Sequence, residues 1–224
     1  MTSPDRQAGE AGALHPGGTA LTRRALQAAG LPPGARLLDL GCGEAGSLGL
    51  PAEALCPAGL DQCLEALQAG RSRNPAAALV CGLVQRLPFA AGAWETLLAE
   101  CSLSACGALD AALAECRRVL APGGKLVISD LYQRRPPGGP LSQAEWLQRL
   151  HSHGFAVRVW EDHTPALTAW AGAALLSGRP LAELWGCRPD GARLCAGAPV
   201  GGAPLSGAGY FLLVAEKIEQ EQVR

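Results

Sequence analysis

Between residues 36 and 161 short apolar runs alternate with segments of helical spacing, and this alternation restricts the possible folds more than any other feature. The runs are Arg36–Leu40, Ala58–Asp61, Ala77–Cys81, Trp94–Ala99, Lys125–Ser129 and Phe155–Glu161, and most are separated by segments of helical length at 46–55, 62–70, 108–120 and 142–153. Apolar strands joined through helices are what a parallel sheet covered on both faces produces. A further run, Tyr210–Glu216, brings the expected strand count to seven. The predicted fold is α/β, a doubly wound, mostly parallel seven-stranded sheet whose last strand is antiparallel.

Residues 1–18 are polar and Gly-rich and are expected to be a flexible segment ahead of a single domain spanning 19–224. Thr19 is the expected N-cap of a first helix running to Ala29, with Leu21, Ala25, Leu26 and Ala29 on its inner face. About 45 residues separate the last two strands, long for a plain connection, so 163–209 reads as a helical insertion between strands six and seven. Pro165–Ser177 and Pro180–Trp185 have helical patterns there, and the Gly, Ala and Pro of Cys187–Gly209 predict a loop or lid.

Composition narrows the partners. The 48% hydrophobic and 17% charged content suits a packed globular chain, and a net charge of −1 with basic residues scattered in twos at most gives no surface for nucleic acid or anionic lipid. The expected partner is a small molecule, with no nucleic acid and no membrane, and the oligomeric state is open. The first residues contain no apolar core of the roughly 7–15 residues that a secretory signal needs, so a cytoplasmic location is expected. The nine cysteines form no CxxC or CxxH pair, so neither a disulfide framework nor a metal site is expected.

The segment Leu38-Asp39-Leu40-Gly41-Cys42-Gly43-Glu44-Ala45-Gly46 follows the first strand, and Asp61 closes the second. Glycine at 41 and 43 lets the backbone turn sharply beside a ligand, and a carboxylate ending the second strand accepts hydrogen bonds from a ribose diol. A nucleoside ligand follows. Asp39 separates the cofactor classes: a carboxylate two residues before the first glycine repels a pyrophosphate and suits a cation.

Strand-Asp-x-Gly-x-Gly resembles the class I S-adenosylmethionine-dependent methyltransferases. Gly82–Phe89 looks like that family's segment after its third strand, and Ala114–Leu126 looks like its helix and turn before the fifth. The resemblance covers roughly residues 30–162 and the final strand. It implies S-adenosylmethionine as cofactor, with Asp39, Gly41, Cys42 and Gly43 around the methionine portion, Asp61 on the ribose hydroxyls, and Gln62, Leu83 and Val84 around the adenine. Glu100 is a further cofactor-binding candidate. Leu83 stands where many members have an acidic residue, which implies weaker binding. Gly46, Gly49 and Pro51 fall in the opening turns of the 46–55 helix, which is therefore expected to be short or bent.

Methyl transfer from an activated sulfonium relies on proximity and makes a base optional. Candidate catalytic residues lie at the ends of strands four and five: Glu100, Cys101, Asp130 and Tyr132. Among the histidines, His15 reads as a surface residue, His151 and His153 as a helix end, and His163 as a group able to face substrate. Glu100–Ser104 is similar to the corresponding segment of arsenite methyltransferases, which would give Cys101, Cys106, Cys187 and Cys195 a role as soft ligands. Two other readings stay open: a degenerate, non-catalytic methyltransferase-fold module, and an NAD-dependent oxidoreductase.

Overall fold

A computed structural model describes residues 15–50, 55–134, 141–178 and 207–219. The expected helix at Pro180–Trp185, most of the Cys187–Gly209 stretch with Cys187 and Cys195, and residues 1–14 lie outside the described residues. The elements are α1 (Gly18–Ala29), β1 (Ala35–Leu40), a 3₁₀ turn (Gly46–Gly49), β2 (Leu55–Asp61), α2 (Leu64–Arg73), β3 (Ala78–Cys81), β4 (Trp94–Glu100), α3 (Leu109–Val119), β5 (Leu120–Gln133), α4 (Gln143–Ser152), β6 (Phe155–Asp162), α5 (Thr164–Leu176) and β7 (Ala208–Lys217). The strands form one seven-stranded sheet in the order β3-β2-β1-β4-β5-β7-β6. β1, β2, β3, β4 and β5 run parallel, while β7 pairs antiparallel with both β5 and β6.

Both faces of the sheet's central strands are buried, as the near-continuous apolar runs require. Alternate residues of β7 divide between them: Phe211, Leu213 and Ala215 join Leu113, Trp146 and Phe155 on one face. Tyr210, Leu212 and Val214 join Leu21, Ala25, Leu167 and Trp170 on the other. Helices α3 and α4 thus cover one side, and α1 and α5 the other.

Three expectations are corrected. The 46–55 helix does not form: residues 46–49 make one 3₁₀ turn and Leu55 already belongs to β2. The glycines and proline in this segment weaken helix propensity more than its apolar residues support it. Thr19 is not the N-cap of α1: the cap is Gly17, two residues earlier, held at φ 77°. β5 is longer than 125–129, since Leu120 pairs with Trp94 before a register shift, and the far end continues along β7 to Gln133.

Helix α4 starts as predicted, with a reciprocal cap: the Glu145 N–H donates to Ser142 Oγ and the Ser142 N–H donates to Glu145 Oε2 at 2.8 Å. Ser142→Ala is expected to destabilise the protein by about 1 kcal/mol, read as a lower urea midpoint with ligand binding unchanged. An unchanged midpoint would mean that the cap contributes nothing.

Candidate cofactor site

The chain runs outward from β1 through β2 to β3 and returns on the other side of β1 as β4, so the loops leaving β1 and β4 diverge. Such a reversal opens a crevice at the carboxyl ends of the strands. Here the cleft is lined by Gly41, Asp61, Gln62, Leu83, Val84, Cys101 and Ser102, with Leu60, Gly82, Gln85, Ala105 and Cys106. Five of the nine residues predicted to bind cofactor, Gly41, Asp61, Gln62, Leu83 and Val84, therefore line one cleft, while Asp39, Cys42, Gly43 and Glu100 do not. None of the lining residues is cationic.

Asp61 knots three loops together. Its Oδ2 accepts the Gly43 N–H at 2.9 Å, its Oδ1 accepts the Cys63 N–H at 2.8 Å, and its carbonyl accepts the Gly82 N–H at 2.9 Å. The first loop is held a second time, because the Leu60 carbonyl accepts both Gly41 N–H at 2.7 Å and Cys42 N–H at 3.1 Å. Gly41 has no substitute: at φ 79° its bare Cα faces Ser102, whose Cβ would lie 2.6 Å from any added Cβ. Gly46, by contrast, has open space around it, so the third glycine of the motif has no steric duty. Cys42 is buried with its thiol pushed up by burial and by the nearby Asp39 and Asp61 charges. Its sulfur packs where a Cβ at Gly59 would fall.

Three carboxylates gather at the strand ends. Asp39 and Asp61 are each 3% exposed, and the Glu100 side chain is 5% exposed. Glu100 does not line the cleft; it accepts hydrogen bonds from Thr22 Oγ1 and Ser47 Oγ, both at 2.9 Å, and His15 Nε2 lies 3.5 Å away. His15 is thus no surface residue: its side chain is 13% exposed and joins α1 to β4. Neither Thr22 nor Ser47 carried a sequence signal, since only the fold brings them to Glu100.

Burial, then the charges of Glu100 and Asp61, holds Asp39 well above the ordinary carboxylate range. A carboxyl with a raised folded value destabilises the fold above that value, and the penalty fades as the pH falls towards the ordinary range near ~4. Asp39→Asn is therefore expected to stabilise the ligand-free protein at neutral pH by about 1–2 kcal/mol, the scale seen when a strained functional group is removed. The gain should shrink on acidification. Urea unfolding at pH 5 and pH 8 checks both points, and equal midpoints at pH 8 would refute the repulsion.

The loop after β4 forms the opposite wall. Asp130 is fully buried and spends its oxygens on Ser104: Oδ2 accepts the Ser104 N–H at 2.9 Å, while Oδ1 accepts the Ser104 hydroxyl and the Leu131 N–H. It does not line the described cleft. Tyr132 does not line the cleft either; it packs edge-on against Trp160 and Phe211. Cys101 is the one catalytic candidate in the wall. Burial, reinforced by Asp130, pushes its thiol well above the ordinary value, which keeps it protonated. His163 is turned to Glu161, with Nε2 3.0 Å from Oε2.

The residues fit an adenosyl sulfonium ligand on several counts. The buried Ser102 hydroxyl in the cleft wall has no hydrogen-bond partner, Leu83 is 47% exposed at the rim beside Val84, and the strand ends are acidic.

Comparison with known proteins agrees with this geometry. Residues 38–128 match the family described as "Methyltransferase domain". Over 122 residues the chain is 35% identical to a demethylmenaquinone methyltransferase of Beutenbergia cavernae, an alignment covering 54% of this chain and 50% of that protein. The chain thus spans about half the length of the curated relatives it matches. Among solved structures, a geranyl diphosphate methyltransferase in complex with SAM superposes with a TM-score of 0.69 at 18% identity, covering 90% of this chain and 86% of that one. The cyclase SpnF superposes with a TM-score of 0.71 at 24% identity, covering 90% and 81%. The fold is the Rossmann-like fold of methyltransferases, and the cyclase among its neighbours shows that the fold alone leaves the reaction open. Among the described residues no helix is long and apolar enough to cross a membrane.

Proposed function

We propose that the chain binds S-adenosylmethionine in this cleft and transfers its methyl group to a small-molecule acceptor. The observation that carries the reading is the buried trio Asp39, Asp61 and Glu100 at strand ends bounding a cleft whose lining has no cationic side chain. Buried carboxylates attract a cation and repel a pyrophosphate, whose binding also relies on a helix N-terminus after the glycine loop. The 3₁₀ turn at Gly46–Gly49 and the open space around Gly46 supply neither that helix nor its close packing. An oxidoreductase using NAD is correspondingly disfavoured.

When bound, S-adenosylmethionine supplies a methyl group already activated on a sulfonium. The protein's part is orientation. Asp61 would hold the ribose hydroxyls with the lone pairs left after Gly43 and Cys63, and Leu83 and Val84 would flank the adenine, with Gln62 beside it. Gly41 and Gly43 would admit the methionine portion close to the backbone, with Asp39, Cys42 and Glu100 behind them setting the field. Among the described lining residues no carboxyl, histidine or lysine stands in the cleft apart from Asp61, which fits a reaction driven by proximity. A protonated, half-buried Cys101 is a poor soft ligand, so nothing among the described residues favours a metalloid acceptor. The names of the relatives, which refer to demethylmenaquinone and geranyl diphosphate, support a small organic acceptor.

Calorimetric titration with S-adenosylmethionine and, separately, with NAD tests the reading. Micromolar binding of the first and none of the second is the expected result. Binding of NAD, or of neither, would overturn it.

A further inference from the structure

Cys101 is one of two non-glycine residues with positive φ among the described residues, at 54°, a conformation that side chains other than glycine's avoid. A residue stays there only when its surroundings hold it. Two contacts do so: the Cys101 N–H donates to the Ser129 carbonyl at 2.8 Å, and Cys101 Sγ lies 3.1 Å from the hydroxyl of Tyr210. Tyr210 comes from β7, two strands away, and is fully buried. Its hydroxyl also donates to the Ser129 carbonyl at 3.3 Å, so one phenol ties the turn after β4 to β5. Its backbone is fixed in turn by the start of α5, the His163 N–H donating to the Tyr210 carbonyl at 2.7 Å.

The turn at Cys101 sets the course of the residues that follow. It brings Ser102 onto the bare Cα of Gly41, and the chain is caught again at Ser104 by Asp130. Cys101, Ser102, Ala105 and Cys106 are then one wall of the cleft. We propose that Tyr210 is a positioning residue for the cofactor cleft, holding the strained turn at Cys101 through its hydroxyl and thereby fixing the wall that faces Gly41. The proposal rests on the cofactor reading above only for its effect on binding, since the turn itself is formed by contacts within the chain.

Tyr210→Phe keeps the ring and its packing and removes only the hydroxyl. Loss of the hydroxyl's two neutral hydrogen bonds, with Cys101 Sγ and the Ser129 carbonyl, predicts exchange of the Cys101, Ser104 and Cys106 amides at least about threefold faster in ligand-free protein, and S-adenosylmethionine bound more weakly by a similar factor. Glycine adopts positive φ without strain, so Cys101→Gly combined with Tyr210→Phe should slow exchange of the Ser104 and Cys106 amides back to within about twofold of wild type. A loss of packing at position 210 would not be rescued in this way. Unchanged exchange in Tyr210→Phe, or fast exchange that Cys101→Gly fails to reverse, would overturn the proposal. Should Tyr210→Phe not fold, amide exchange in Cys101→Gly decides: with the strain relieved, the Ser104 and Cys106 amides should exchange no faster than in wild type, and faster exchange would count against the role. A wild type that binds no S-adenosylmethionine sinks the functional reading instead, and the exchange measurement still judges Tyr210.

Discussion

Asp61→Ala should weaken S-adenosylmethionine binding by about ten- to hundredfold, because a hydrogen bond to a charged group contributes about 1.5–3 kcal/mol. Two losses add. The ribose diol would lose its acceptor, and the Gly43 and Cys63 N–H groups would lose the oxygens that fix the loops after β1 and β2. Loosening these loops acts on the same cleft, so the effect should exceed that of an isolated contact. The stability change should be smaller than the loss of two buried partners suggests, since removing one charge also relieves the repulsion on Asp39. Calorimetry gives the affinity, and urea unfolding separates it from a loss of fold. Affinity within twofold of wild type in a folded variant would remove Asp61 from the site.

The largest stability effect is expected at Trp146. It is fully buried on α4, donates from Nε1 to the Leu131 carbonyl at 3.1 Å, and packs at an angle against Phe211 with ring centroids 5.3 Å apart. Trp146→Ala leaves a cavity and an unpaired carbonyl at once, and such truncations cost about 3–5 kcal/mol. That is a large part of the roughly 5–15 kcal/mol that holds an ordinary domain together. Equilibrium unfolding in urea should show the midpoint falling steeply. A loss below about 1 kcal/mol would mean that neighbouring side chains collapse into the space.

The sheet was legible because its central strands are buried on both faces and must be almost wholly apolar, a pattern that needs no knowledge of distant neighbours. Gly41 and Asp61 were legible for a related reason: a motif spaced across two consecutive strand ends is local enough to read along the chain. The segment after Gly46 was not, because weak propensities on either side left the outcome to the rest of the fold, which settled on a single 3₁₀ turn.

Residue types and order along the chain thus determined the α/β class, the strand positions to within a few residues and the glycine and carboxylate anchors of the cleft. The tertiary structure alone decided the fates of the other polar groups. Glu100 ends β4 and Asp130 follows the strand as the sequence predicts it, which makes each a candidate, yet Ser104 claims Asp130 and Thr22, Ser47 and His15 surround Glu100. Tyr210 and Cys101 lie 109 positions apart and meet only because β7 inserts antiparallel beside β5. Hydrogen-bond partners and burial depend on which strands become neighbours, and a sequence fixes that only through the packing of the whole sheet.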